Sequence, residues 1–176
     1  MTRQDALDRI ARNIRRSRRC PLAGRLGSAV PGEGPANARV FLVGQSPGIE
    51  ESRTGRPFVG RAGKFLDEAL DRLGLSRHGV FITSVEKHRP PRNRRPTRKE
   101  LQACKPALLR QIAIVNPRVV VLLGRVAEEA LAGEPVLAGR RVLVTVHPAA
   151  AMRFPWLRRR FLRDLRTLGR RARRAS

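Results

Sequence analysis

Two apolar periods alternate along the chain. Near the start, Leu7, Ile10 and Ile14 recur at spacings of three and four with arginines elsewhere, which predicts an amphipathic helix over residues 4–19. A Gly- and Pro-rich loop follows over 20–37. Residues 38–43 then read as a buried strand stopped by Gly44. Helical spacing returns from Ala62 with Phe65, Leu66, Ala69, Leu70 and Leu73, and Gly74 stands where a C-terminal cap belongs. The β-branched and aromatic segment 79–85 predicts a second strand, and 86–95 a loop rich in Pro and Arg. Thr97-Arg98-Lys99-Glu100 is a capping-box pattern, so a helix should run from there to about Val115 and stop at Asn116-Pro117. Residues 119–123 and 142–146 predict strands three and four, with a helix over 126–131 between them. Leu157, Phe161, Leu165 and Leu168 align on one stripe of a closing helix over 156–168.

Strands alternating with helices place the chain in the α/β class, as a three-layer α/β/α sandwich around a mostly parallel four-stranded sheet. The length suits a single domain over residues 1–168, followed by a basic tail over 169–176. In such a sheet, ligands bind outside the carboxyl ends of the strands. Strand one runs into Gly44-Gln45-Ser46-Pro47-Gly48, strand two into Ser84 and the loop bearing His88, strand three into Gly124-Arg125, and strand four into His147-Pro148. One cleft is expected there.

Charge adds a partner. The chain has 38 Lys and Arg against 14 Asp and Glu, a formal net charge of +24, which points to a polyanion, nucleic acid above all. Lysines are few (Lys64, Lys87, Lys99, Lys105), so heavy arginine usage inflates this signal. The basic positions gather in two places. Lys87, Arg89, Arg92, Arg94, Arg95, Arg98 and Lys99 crowd the loop after strand two, and Arg153, Arg158, Arg159 and Arg160 follow His147. Both groups are candidates for phosphate contacts. The longest aliphatic run in the strand-like segments, 119–123, is far short of the about 20 residues of a membrane span. No apolar stretch of a secretory signal is visible at the N-terminus. Cys20 and Cys104 are too few for a disulfide framework, so a reducing cytoplasm is expected, with a monomeric chain and a metal or core role for the cysteines.

Three motifs in order resemble the family 4 uracil-DNA glycosylases, the iron–sulfur members of the uracil-DNA glycosylase superfamily. The first is Val43-Gly44-Gln45-Ser46-Pro47-Gly48 with Glu51 and then residues 53–63, Arg-Thr-Gly-Arg-Pro-Phe-Val-Gly-Arg-Ala-Gly. The second is Ile82-Thr83-Ser84-Val85 with Lys87-His88-Arg89-Pro90-Pro91 and Asn93-Arg94, and the third is His147-Pro148-Ala149. The resemblance implies an enzyme that flips a deaminated base, uracil first, out of DNA and hydrolyses its N-glycosidic bond. It implies that Phe58 stacks on the base and that His147 donates toward the pyrimidine O2. Glu51 and Asn93 match positions implicated in the reaction, and the turn with Gly44, Ser46 and Gly48 supplies backbone groups against the flipped nucleotide. Arg89, Arg94 and Arg153 would contact DNA, with Met152 and Phe154 helping to hold the opened duplex.

The chain departs from that pattern in both its chemistry and its metal ligands. Gln45 stands where the family usually has Glu and cannot take a proton at neutral pH; it can orient water. General-base help contributes about 10²–10⁴-fold, so a slower enzyme is expected. Ser84 stands where an Asn usually reads uracil, which implies weaker discrimination among deaminated bases. The family holds a [4Fe-4S] cluster with four cysteines. Ser17, Cys20, His88 and Cys104 occupy the matching positions here, so only half are Cys. A cluster with a His ligand, a zinc site of both cysteines and His88 with Ser17 or water, and two plain core cysteines all stay open. The alternative to an active glycosylase is a catalytically weak or inactive DNA-binding relative.

Overall fold

The computed structural model describes residues 1–172, with the side chains of 169–172 left aside. Four strands, β1 (Val40–Gly44), β2 (Phe81–Ser84), β3 (Val119–Leu123) and β4 (Arg141–Thr145), form one all-parallel sheet in the order β2-β1-β3-β4. The helices are α1 (Arg3–Arg16), α2 (Ile49–Thr54), α3 (Arg61–Asp71), α4 (Arg98–Val115), α5 (Arg125–Leu131), α6 (Pro148–Arg153) and α7 (Pro155–Ala172). From β1 the chain goes to one side to build β2, then crosses to the other side for β3. That reversal opens a crevice at the carboxyl edge of the sheet.

Alternation along each strand divides the core into two layers. Val40 and Leu42 of β1 and Val121 and Leu123 of β3 face α3, α6 and α7 through Leu66, Leu70, Phe161 and Leu165. Phe41, Val43, Val120 and Leu122 face the opposite way, onto Leu7 of α1, Leu108 and Ile112 of α4 and Leu131 of α5. Phe41 stacks on Phe81 of β2 with ring centroids 4.8 Å apart. A strand buried on both faces must be apolar at every position, which is why β1 and β3 read as unbroken runs.

The Thr97–Glu100 capping box forms as the spacing predicts, and Asn116 ends α4 in the left-handed conformation. Two helices were not visible in the pattern, α2 and α6, each six residues long and without an apolar stripe. The first helix stops at Arg16, short of the expected residue 19, with Ser17 as its cap. The closing helix continues to Ala172, so the basic segment expected as a tail from residue 169 is helical at its start; its remainder lies outside the described residues. Among the described residues no helix is long and apolar enough to cross a membrane.

Candidate active site and cysteine cavity

A cleft of about 620 Å³ lies beyond the carboxyl ends of the strands. It is lined by Gln45, Ser46 and Gly48 from the turn after β1, Phe58 from the loop before α3, Ser84 at the end of β2, Asn93, and His147 after β4. Residues separated by up to about a hundred positions in sequence therefore meet where the topology requires.

The cleft's backbone is shaped by close approach. The Phe58 ring presses onto Gly44, where an added Cβ would stand 2.4 Å from Cζ. Any side chain at 44 would displace the ring. Phe58 itself adopts φ +48, a left-handed conformation that costs a non-glycine residue about 1–3 kcal/mol and persists only where its surroundings impose it. They do so from two sides. Gly63 packs against its carbonyl, where a Cβ would come within 1.8 Å. Arg77, whose side chain is only 14% exposed, donates to the Phe58 carbonyl at 2.9 Å and also to that of Pro57. The guanidinium is held in turn by Glu33 and Asp67, each at 2.9 Å. Burial works to raise the Glu33 carboxyl, and Arg56 and Arg77 outweigh it, holding it below its usual range.

Glu51 braces the opposite wall. Its Oε2 accepts the Gly48 N–H at 3.0 Å, and its Oε1 accepts the N–H groups of Val59 and Gly60, both at 2.8 Å. One carboxylate thus ties the turn after β1 to the residues following Phe58. All three of these donors are backbone N–H groups.

His147 caps α6, its Nδ1 accepting the Ala149 N–H at 3.2 Å. A backbone N–H can only donate, so Nδ1 must be unprotonated and the neutral ring carries its proton on Nε2. Burial pushes the imidazole down to about 4, against a weaker opposing pull from Glu51, so the ring is neutral at physiological pH. It packs near Phe58, with centroids 5.7 Å apart and planes inclined by 29°. Gly124 at the end of β3, at φ +95, permits this approach; a Cβ there would lie 3.2 Å from that of His147.

The basic residues divide between partners inside the protein and solvent. Arg89 donates through Nε to Asn93 Oδ1 at 2.9 Å, on the exposed rim. Arg153 is exposed on α6 and stacks over Phe154, 5.4 Å from the ring centroid. Met152, Phe154 and Trp156 are exposed beside it. Arg94 instead forms a two-point pair with buried Glu100, at 2.9 and 2.7 Å, which holds that carboxyl down to about 2. Its charge is therefore already compensated. Lys87 is a clear correction: read as part of a phosphate-binding loop, it is 1% exposed, with Nζ bonded to Thr83 Oγ1 at 2.5 Å and Gln111 Oε1 at 3.0 Å.

Beyond β2 lies a second group. Cys20, Glu86, His88 and Cys104 are all buried, and one potential ligand atom from each lies within 4.8 Å of the others. Ser17, expected as a ligand, lines the adjoining cavity of about 440 Å³. Its Oγ accepts the Arg19 N–H at 3.2 Å. Glu86 was not singled out in the sequence, where a Glu opening a polar loop carries no signal of burial.

The profile of the uracil DNA glycosylase superfamily matches residues 31–166. The type-4 uracil-DNA glycosylase of Pyrobaculum aerophilum is 42% identical over 181 residues, covering 90% of this chain and 91% of that protein. That of Thermotoga maritima is 40% identical over 165 residues, covering 86% of each. A type-5 uracil-DNA glycosylase from Thermus thermophilus is 36% identical over 149 residues, covering 67% of this chain and 68% of that protein. The similarity spans the strands, the cleft and the loops that shape it, and the chain belongs to the uracil-DNA glycosylase superfamily.

Proposed function

We propose that this chain is a uracil-DNA glycosylase of base excision repair, which receives a uracil flipped out of DNA and hydrolyses its N-glycosidic bond to leave an abasic site. The observation that carries the reading is the neutral His147, its tautomer fixed by the Ala149 N–H, beside the Phe58 ring at the floor of the cleft. Negative charge develops on the departing base as the glycosidic bond breaks. An Nε2–H donor aimed at the pyrimidine O2 stabilises that charge, a contribution of about 10²–10³ in rate.

The other groups divide the remaining tasks. Phe58 stacks on the base, and its strained backbone, clamped by Arg77, fixes the ring in advance. Ser84 offers one hydroxyl to the base edge. Gln45 orients the attacking water, with Asn93 at the rim, while Glu51 positions the walls of the cleft and does not react. Ser46 and Gly48 lie against the nucleotide backbone. Unstacking a base costs a few kcal/mol, which phosphate contacts offset. Arg89 and Arg153 are placed to make them, and Arg94 anchors the loop through Glu100. Met152, Phe154 and Trp156 form an exposed apolar edge suited to holding the opened duplex. The chain acts as a monomer in the cytoplasm.

The residues do not fit the four-thiolate iron–sulfur cluster that the resemblance implies. Two of the donors are Cys20 and Cys104, the others are an imidazole and a carboxylate, and Ser17 stands at the remaining family position. No step of excision is assigned to a cluster. The reading of an inactive DNA-binding relative is not favoured, since the cleft's donor and stacking groups are assembled and relatives at about 40% identity are uracil-DNA glycosylases.

Oligonucleotides bearing uracil, hypoxanthine or xanthine, single- and double-stranded, test the proposal. Alkali-labile cleavage at uracil is expected; no excision of any of them by folded protein would overturn it.

A further inference from the structure

The geometry points to a mononuclear metal site, tetrahedral and suited to Zn²⁺, formed by Cys20, Glu86, His88 and Cys104 in place of the four-cysteine cluster. Three separate parts of the chain converge there: the turn after α1, the loop leaving β2, and the second turn of α4. Glu86 Oε1 lies 3.3 Å from Cys20 Sγ, 3.1 Å from Cys104 Sγ and 3.3 Å from His88 Nδ1. A tetrahedron drawn with zinc's usual bond lengths, about 2.3 Å to sulfur and 2.0–2.1 Å to nitrogen and oxygen, has edges of about 3.3–3.8 Å. The three edges from Glu86 Oε1 lie at or just below these values and every other donor separation is within 4.8 Å, so small side-chain adjustments would bring all four donors onto one ion.

Glu86 carries the argument. It is fully buried, and its Oε2 has no hydrogen-bond partner. Its Oε1 is crowded instead, by both thiols, by His88 Nδ1, and by the Lys87 and His88 N–H groups at 2.9 Å. A buried carboxylate with one oxygen oversubscribed and the other orphaned is poorly satisfied by protons alone. A dication among these donors would engage the thiolates, the imidazole and the carboxylate together. The sulfurs are prepared for it: Leu22 N–H points to Cys20 Sγ and Lys87 N–H to Cys104 Sγ, each at 3.4 Å, the outer-shell contacts that orient thiolate ligands.

Donor chemistry selects the ion. Two thiolates exclude magnesium and calcium, which take oxygen ligands, whereas two sulfurs with imidazole and carboxylate suit zinc. Four protein ligands in a buried setting leave no open position, so the role is structural. The ion would staple the end of α1 and α4 to the loop that continues to Arg89 and Asn93 at the cleft. The adjoining cavity provides the entry path.

Elemental analysis of the full chain, purified under reducing conditions without chelator from zinc-supplemented cells, tests this directly. About one zinc per chain is expected, without the visible absorption of an iron–sulfur cluster. After the metal is stripped, titration with Co²⁺ should give the intense visible bands of tetrahedral thiolate coordination. Glu86→Gln, nearly isosteric, should weaken Co²⁺ affinity by more than about 10-fold and shift those bands, with circular dichroism reporting that the variant is folded. Three results would overturn the proposal: no uptake of zinc or Co²⁺ by folded protein, stoichiometric iron and acid-labile sulfide, or a Glu86→Gln variant that binds Co²⁺ as the parent chain does. These readouts do not depend on excision, so they succeed or fail independently of the glycosylase reading.

Discussion

The cleft and the cysteine cavity both lie beyond the end of β2, one reached through Ser84 and the other two residues later through Glu86, yet they depart from the family pattern in different ways. In the cleft the framework is intact: Gly44, Gly63, Arg77 and Glu51 hold Phe58 and the turn after β1 through close packing and backbone hydrogen bonds. Gln45 and Ser84, the two positions that differ from what the resemblance leads one to expect, sit within this fixed shape. In the cavity the donors themselves differ from the four cysteines that the resemblance implies, and the buried carboxylate of Glu86 stands among them. Exchanging a side chain inside a rigid cleft alters rate and selectivity. Exchanging a ligand alters what can bind at all.

The largest effect expected in the cleft comes from restoring a carboxylate at position 45. Gln45→Glu should raise single-turnover excision of uracil, by up to about 10²–10⁴-fold if base assistance is what the chain lacks, with metal content unchanged. A rate that stays the same would mean that water is oriented from elsewhere. Next in size is Glu51→Gln, which replaces one accepting oxygen with an amide that donates. Each backbone N–H left without an acceptor costs about 1–3 kcal/mol, so the unfolding midpoint and the rate should fall together. A lower rate at unchanged stability would instead make Glu51 reactive. Ser84→Asn should sharpen the preference for uracil over hypoxanthine by about 1–3 kcal/mol, read as a ratio of kcat/KM values. The smallest effect lies in the pH profile.

His147 is held near 4, below its ordinary 6.5, so its neutral donor form persists as pH falls. Excision should stay level from neutral pH to about 5, with the limb due to His147 appearing only near its lowered value. Stability follows the same sign. The contribution of neutral His147 is complete above 6.5 and is lost as pH falls toward 4, because the unfolded chain takes up the proton first. A limb centred near 6.5 would contradict the buried setting.

Much of this was legible in the sequence for local reasons. Thr97, Glu100 and Asn116 mark the ends of α4 because caps are chemistry within a few residues, and β3 is read from an unbroken apolar run. Gln45, Ser84 and His147 are legible because they fall at strand ends, where topology gathers ligand-binding residues, whereas Phe58, Glu51 and Asn93 are read only through the resemblance. What escaped notice depends on tertiary packing. α2 and α6 are too short to show a period. Arg77 earns its place only through Glu33 and the Phe58 carbonyl, 44 and 19 residues away. Lys87 and Glu86 look like solvated charges in a basic loop, and only the packing of β2 against α4 and the turn after α1 buries them.

The most direct measurement compares the chain with its His147→Ala variant on uracil-containing DNA, following excision in single turnover and DNA affinity in parallel. Excision should fall by about 10²–10³-fold while affinity stays nearly constant, because the imidazole acts on charge that appears only as the bond breaks. Excision by the variant at the parent rate, or a loss explained entirely by weaker DNA binding, would contradict the role of His147.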